Sequence, residues 1–116
     1  MRLWNPEIVQ EAPTKSLSAI HMLLCKVRST PWGKPTARAW YYNLSWQCLV
    51  WYHSCVIREL QSRGWKVRVK WLDYNFRGNG KEPAPGNYER VPSCLKEFEE
   101  ICPESKENQL KSLKML

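Results

Sequence analysis

The chain has 116 residues, 43% of them hydrophobic, which is enough for one compact domain with its own core and too few for two conventional domains. Its 18 Lys and Arg outnumber its 11 Asp and Glu, giving a formal net charge of +7, and this balance favours an anionic partner such as nucleic acid, a nucleotide or an acidic membrane surface. No apolar run reaches the roughly 18 residues of a membrane span, and the start MRLWNPEIVQ lacks the apolar core of a signal peptide. We therefore expect a cytoplasmic location and no membrane partner.

The first predicted helix covers about Thr14 to Arg28. Its apolar residues recur at helical spacing and predict one buried face, formed by Leu17, Ile20, Leu24 and Val27. Residues 29–43, STPWGKPTARAWYYN, contain two prolines and a glycine. This stretch is therefore predicted to be a loop.

The second predicted helix covers about Leu44 to Arg63, and Gly64 is a natural C-terminal cap. Its apolar face comprises Leu49, Val56 and Leu60, widened by Cys48, Tyr52 and Ile57. The next stretch, WKVRVKW from Trp65 to Trp71, alternates apolar and basic residues. This alternation predicts an extended segment with one buried face and one basic face.

The remainder of the chain reads as a long loop followed by two helices. Residues 73–92 include RGNGKEPAPGN and predict an irregular loop. A third helix is predicted from Pro92 to Pro103, and helical spacing of Leu110 and Leu113 predicts a peripheral helix in the tail. We expect one all-α domain over residues 1–116, with a body at 1–78, a loop at 79–92 and C-terminal helices at 93–116.

Histidine and cysteine set the limits on metal and nucleophile chemistry. His21 and His53 are the only histidines, and pairing them with Cys25 and Cys55 matches no closed zinc motif, so we expect no metal and no cofactor. A nucleophile formed by Cys25 and His21 lacks a readable orienting acid. The five cysteines are odd in number and include no CxxC pair. This usage predicts reduced thiols and no disulfide.

Aromatic rings stand beside cations at several places in a chain with seven tryptophans and five tyrosines. The pairs are Arg2 with Trp4, Lys34 with Trp32, Arg38 with Trp40, and the row Lys66, Arg68 and Lys70 between tryptophans. Recognition of bases and phosphates needs such pairs. The alternative is that each ring belongs to the core and each cation to a solvated surface.

Several short motifs occur in a fixed order along residues 1–78. They are MRLW, the leucine-rich helix with His21, Trp32-Gly33-Lys34, Tyr52-His53, Arg63-Gly64-Trp65 and Asn75-Phe76-Arg77-Gly78. In order and spacing the chain resembles the pyrimidine-dimer DNA glycosylases of the endonuclease V type, in particular their short bacterial and viral relatives. This resemblance implies an all-α fold whose N-terminus lies in the active site.

The resemblance also implies a reaction in which the N-terminal α-amine attacks the sugar, forms a Schiff base and permits β-elimination. An α-amine suits this task because its pKa of about 7.7–8.0 leaves a neutral fraction at physiological pH. Carried over by position, the amine belongs to Met1, Arg2 meets backbone phosphate, and Lys26 stands in place of a DNA-contacting arginine. The other candidate ligand contacts are Trp4, His21, Trp32, Lys34, Arg38 and His53.

The chain departs from the family pattern where the resemblance places the essential carboxylate. That glutamate falls on Leu23, and the arginine before it falls on Met22. Leucine can neither transfer a proton nor stabilise a positive intermediate, so the loss costs on the order of 10²–10⁴ in rate. Our leading hypothesis is therefore a non-catalytic nucleic-acid-binding or nucleotide-binding protein, which in a viral setting would sequester a nucleotide signal of host defence.

Two alternatives remain open at the level of sequence. One is an active DNA glycosylase/AP lyase that takes its acid from elsewhere, such as Glu7 or Glu11. The other is a protein-interaction module whose exposed tryptophans form a partner surface, for instance in a homo-oligomer.

Overall fold

The computed structural model describes residues 5–29, 46–84, 96 and 105–114, and the regular structure within them is helical throughout. The α-helices are α1 (Thr14–Ser29), α2 (Trp46–Ser62) and α3 (Lys106–Lys114), and short 3₁₀ helices cover Pro6–Glu11 and Val69–Leu72. α1 packs on α2, and both 3₁₀ helices contact α2. The protein is therefore an all-α domain, as predicted. In the described ranges no helix is long and apolar enough to cross a membrane.

α1 and α2 join through the apolar faces that their spacing predicts. The core cluster contains Leu17, Ile20, Leu24 and Val27 from α1 and Leu49, Tyr52, Val56 and Leu60 from α2. The first 3₁₀ helix adds Ile8 and Val9 to the same cluster. Truncating a buried leucine of this kind costs about 2–5 kcal/mol, so the α1–α2 interface is the main source of stability in the described region. Both predicted helices are confirmed.

α2 ends at the glycine that the sequence marks as its cap. Gly64 has a φ of 87°, in the left-handed region that a residue without Cβ adopts readily. The Trp65 N–H donates to the Leu60 carbonyl and the Gly64 N–H donates to the Gln61 carbonyl, each at 3.0 Å. These two bonds form a Schellman motif, which satisfies the carbonyls at the end of the helix.

Arg63 fastens the N-terminal end of α1 and the segment before it to α2. Its guanidinium donates to the carbonyls of Ala12 at 2.7 Å and Gln10 at 3.0 Å, and to the Thr14 hydroxyl at 2.9 Å. Its Nε pairs with the Glu59 carboxylate at 3.0 Å, and 22% of the Arg63 side chain remains exposed.

Arg28 fastens the other end of α1 to the segment that follows α2. Its side chain is completely buried, and its guanidinium donates to the carbonyls of Trp71 at 2.6 Å, Asp73 at 2.7 Å and Phe76 at 2.7 Å. The Arg77 Nε–H donates a hydrogen bond to the Arg28 carbonyl at 3.1 Å and so caps the C-terminal end of α1. Residues 71–77 are thereby held against α1.

The alternating stretch Trp65 to Trp71 does not form the predicted continuous buried apolar face, although Val67 packs against the core cluster. Val69 is 65% exposed and Trp65 is 46% exposed, and Val69–Leu72 forms a 3₁₀ helix. A strand needs a neighbour for its hydrogen bonds, and none lies within the described residues. The chain turns instead, and its carbonyls at Trp71 and Asp73 face Arg28.

The cysteines also differ from the prediction. Cys48, buried in α2, is disulfide-bonded, whereas Cys25 and Cys55 are not in a disulfide. The expectation of no disulfide was wrong, because the pairing of distant cysteines depends on tertiary contacts that spacing does not reveal.

The tail helix is confirmed as α3, and it contacts the first 3₁₀ helix. The buried Gln109 side chain accepts a hydrogen bond from the Asn5 N–H at 2.7 Å. Apart from Lys96, the predicted third helix lies outside the described residues.

Candidate functional site

An open groove with a volume of about 510 Å³ lies between α1 and the segment after α2. Its described lining consists of Met22, Leu23, Cys25, Lys26, Ser29, Trp71, Gly78, Asn79 and Lys81. The α1 members share one face because residues three and four apart lie next to each other on a helix. The volume lies within the roughly 300–1,000 Å³ that small-molecule sites occupy.

The groove combines apolar surface with positive charge. Lys26 and Lys81 are exposed on its two sides, one on α1 and the other on the later segment. No described lining residue carries a carboxylate. Trp71 supplies an aromatic surface and is held by an edge-on contact with Phe76, with ring centroids 4.8 Å apart. This combination suits a planar ligand that carries an anionic group.

Two apolar side chains occupy the positions where the family resemblance places an arginine and a glutamate. Met22 is 65% exposed, and Leu23 is partly buried against the core cluster. Both line the groove. α1 therefore forms one wall of the groove, and Leu23 both lines this wall and packs against the core cluster.

Three side chains that can bind a metal lie close together beside the groove, namely His21, Cys25 and His53. His21 and Cys25 lie one turn apart on α1, and His53 comes from α2. His21 Nδ1 lies 2.8 Å from His53 Nε2. Cys25 Sγ lies 3.7 Å from His21 Nε2 and 3.8 Å from His53 Nε2. His53 is completely buried, and the other two are half-buried.

Arg28 sets the direction of the hydrogen bonds in this cluster. Its NH1 lies 3.1 Å from His53 Nδ1, and because a guanidinium only donates, Nδ1 accepts. The proton of a neutral His53 is then on Nε2 and is donated to His21 Nδ1. His21 in turn has its proton on Nε2, near Cys25 Sγ. The bonds therefore run from Arg28 through both imidazoles to the sulfur.

Burial governs the protonation of these groups. Desolvation, with the nearby Arg28 and His21, holds the pKa of His53 well below its usual 6.5, and desolvation also lowers the pKa of His21. Desolvation raises the pKa of the Cys25 thiol to about 11 and lowers the pKa of Arg28 to about 10. At neutral pH both imidazoles are neutral, the thiol is protonated and Arg28 is charged.

The structure brings together some of the predicted contact residues. Lys26 lines the groove, and His21 belongs to the cluster that borders it. His53 is buried and contacts His21 and Arg28, so its contact with a groove ligand is indirect. The other predicted site residues lie outside the described ranges: Met1, Arg2, Trp4, Trp32, Lys34 and Arg38.

Sequence reasoning did not assign roles to Arg28 or Lys81 at this site. A signal for Arg28 existed, because it lies four residues after Leu24 and continues the buried stripe of α1 by one turn. No local pattern identifies Lys81, because the loop reaches the groove through the bonds between Arg28 and residues 71–76.

The fold and the groove define a small all-α protein with a basic, partly apolar groove. The family model for pyrimidine dimer DNA glycosylase matches residues 1–73, which is more than half of the chain. The chain belongs to this family, and the resemblance stated from its motifs is confirmed. Comparison with curated proteins and with solved structures gave no significant match.

Proposed function

We propose that the groove binds a nucleic acid or a free nucleotide and that the protein does not carry out glycosylase chemistry. The observation that carries this proposal is the groove lining, which contains two lysines and no carboxylate among its described residues. Leu23, at the carboxylate position of the family, packs on the core. Without that acid, proton transfer at the sugar loses on the order of 10²–10⁴ in rate.

The lining fits both parts of a nucleotide. Trp71, Leu23 and Met22 offer the apolar and aromatic surface on which bases stack, at about 1–3 kcal/mol per base. Lys26 and Lys81 supply charge for a phosphate, and the net charge of +7 adds long-range attraction. In a viral, cytoplasmic setting this chemistry suits the sequestration of a nucleotide signal of host defence.

The proposal is tested by equilibrium binding of a labelled single-stranded oligonucleotide and by thermal shift with a panel of nucleotides. We expect Lys26→Ala and Lys81→Ala each to weaken binding and to reduce its salt dependence, because each removes a phosphate contact. Lys15→Ala is the matched control, since Lys15 is an exposed lysine of α1 that does not line the groove.

The absence of binding to every nucleotide and oligonucleotide would contradict the proposal. An equal loss of affinity in the Lys15 and Lys26 variants would also contradict it, because binding would then follow net charge and not the groove.

Family membership favours a second function, an active DNA glycosylase/AP lyase. Among the described acids, Glu7 bonds to Lys106 of α3 and Glu11 is exposed on the first 3₁₀ helix, and neither lines the groove. Borohydride reduction with abasic or ultraviolet-damaged DNA separates the two functions. A trapped covalent adduct would establish the lyase, and its absence under enzyme excess would exclude the N-terminal amine mechanism.

A further inference from the structure

We propose that His21, Cys25 and His53 bind one soft transition-metal ion of the zinc class, with a further coordination position facing the groove. The proposal uses other side chains than the nucleotide proposal and stands independently of it. It departs from the sequence-based expectation of no metal, because spacing pairs His21 with Cys25 and His53 with Cys55 and does not reveal which residues meet in the fold. The fold adds His53 from α2.

The distances between the donor atoms approach those of a tetrahedral centre. With Zn–S near 2.3 Å and Zn–N near 2.0–2.1 Å, two ligands are separated by roughly 3.6 Å for S···N and roughly 3.3 Å for N···N. With His21 binding through Nδ1, Cys25 Sγ lies 3.8 Å from His21 Nδ1 and 3.8 Å from His53 Nε2. The same two nitrogens, His21 Nδ1 and His53 Nε2, are 2.8 Å apart and need to separate by roughly 0.5 Å.

The donor set selects the class of metal. A thiolate and two imidazoles suit Zn²⁺ and other soft or borderline ions, whereas Mg²⁺ and Ca²⁺ prefer oxygen ligands. No carboxylate belongs to this cluster in the described region. His21 and Cys25 stand at positions i and i+4 on one helix, a spacing that lets two side chains hold a single ion. Zn²⁺ deprotonates a coordinating thiol, so loading releases a proton.

The hydrogen bond between Arg28 and His53 opposes metal binding. A metal-bound histidine normally donates from its other ring nitrogen to an acceptor, but Nδ1 of His53 faces a donor, Arg28 NH1, at 3.1 Å. Loading therefore moves the His53 proton from Nε2 to Nδ1 and breaks this hydrogen bond. Arg28 keeps its bonds to the carbonyls of Trp71, Asp73 and Phe76. The loss of one hydrogen bond is small beside the free energy of zinc coordination, so the contact weakens the site and does not abolish it.

The three ligands leave a coordination position for another group. Cys25 also lines the groove, so the metal borders the space where a ligand enters. Zinc centres with three protein ligands keep a position for water or substrate. An anionic oxygen of a groove ligand can occupy it, beside the charge of Lys26.

The test is a titration of the full chain with Co²⁺, a spectroscopic substitute for Zn²⁺, in buffer without thiol reductant so that the Cys48 disulfide stays intact. We expect one equivalent of Co²⁺ to give the visible absorption of a four-coordinate centre and a thiolate-to-cobalt charge-transfer band. Added Zn²⁺ displaces the cobalt and removes both signals.

Two variants and a matched control locate the site. Cys25→Ser is expected to lose the charge-transfer band, and His21→Gln to weaken Co²⁺ binding by about tenfold or more. Cys55→Ser is the control, because Cys55 is the other half-buried cysteine of the described region that is not in a disulfide, and it is not in the cluster. It should keep both signals.

The proposal is overturned if the wild-type chain gives no cobalt spectrum, if Cys25→Ser keeps the charge-transfer band, or if Cys55→Ser loses it. Thermal unfolding without metal checks that each variant is folded. If Cys25→Ser does not fold, His21→Gln decides the question, and unchanged Co²⁺ affinity in that variant overturns the proposal.

Discussion

Two arginines fasten the two ends of the α1–α2 pair, and their environments differ. Arg63 is partly exposed and pairs with Glu59. Arg28 is completely buried and bonds to backbone carbonyls and to His53, and its Nε has no hydrogen-bond partner among the described residues. The charge of Asp73 acts on it without forming an ion pair with it in the described region. Burying a charge without a direct ion pair is unfavourable. This unfavourable burial occurs at the end of the α1–α2 pair that also carries the groove and the His21–Cys25–His53 cluster.

The largest expected effect comes from removing the buried arginine. Arg28→Met leaves the carbonyls of Trp71, Asp73 and Phe76 without their donor, so we expect the free energy of unfolding to fall by about 3–5 kcal/mol. Urea denaturation measures the loss, with Arg58→Met, an exposed arginine of α2, as the control. A loss below about 1 kcal/mol would contradict the role of Arg28 as an anchor.

Replacing the partly exposed Arg63 by Met should destabilise the protein less than replacing the buried Arg28. Arg63→Met removes its bonds to Ala12 and Gln10, but the Gln10 bond is exposed and Arg63 is itself partly exposed, so water can replace part of what is lost. We expect a loss of about 2 kcal/mol in the same urea experiment. Equal losses at the two arginines would remove the contrast between the two ends.

The two ends should also differ in their response to acid. The pKa of His53 is held well below 6.5 in the folded chain, so below pH 6.5 the unfolded chain binds protons that the folded chain does not. The contribution of His53 to stability is therefore constant above this pH and falls below it, by up to about 1.4 kcal/mol per pH unit.

Unfolding free energies measured from pH 7.5 to 5.5 check this slope. His53→Gln should reduce this slope because glutamine does not titrate, and the remaining slope belongs to His21, whose pKa is also lowered by burial. A wild-type stability that rises as the pH falls would show that His53 is protonated in the folded chain.

The smallest effect is expected at the cap of α2, near Arg63. Gly64 has a φ of +87° with no atom within 4 Å of an added Cβ, so the cost of Gly64→Ala is backbone strain alone. We expect a loss of about 1 kcal/mol, seen as a lower thermal midpoint. Gly64→Asn should recover part of it, since asparagine tolerates the left-handed region. If alanine and asparagine destabilise equally, the strain account of this cap is wrong.

The two long helices could be predicted because they are determined by the local periodicity of apolar residues. The stripe from Leu17 to Val27 and the face from Leu49 to Leu60 predicted α1 and α2 because helix burial repeats every three to four residues. Gly64 marked the end of α2 because few other residues adopt a positive φ readily.

Features that depend on tertiary contacts could not be predicted in this way. The approach of His53 to His21 depends on how α2 is placed on α1. The turn at Val69–Leu72 depends on Arg28, which lies more than 40 residues away along the chain. Alternation in the stretch from Trp65 to Trp71 therefore suggested a buried face that the fold does not form.

The central claim is that the groove binds DNA or a nucleotide without glycosylase chemistry, and borohydride trapping on ultraviolet-damaged DNA tests it most directly. The wild-type chain, at a concentration that saturates binding, should give no covalent adduct, because cleavage of the glycosidic bond needs an acid and Leu23, which lines the groove, supplies none. The same DNA should remain bound and intact. A trapped adduct between the wild-type chain and the sugar of the damaged nucleotide would contradict the claim and show that the family's chemistry is retained.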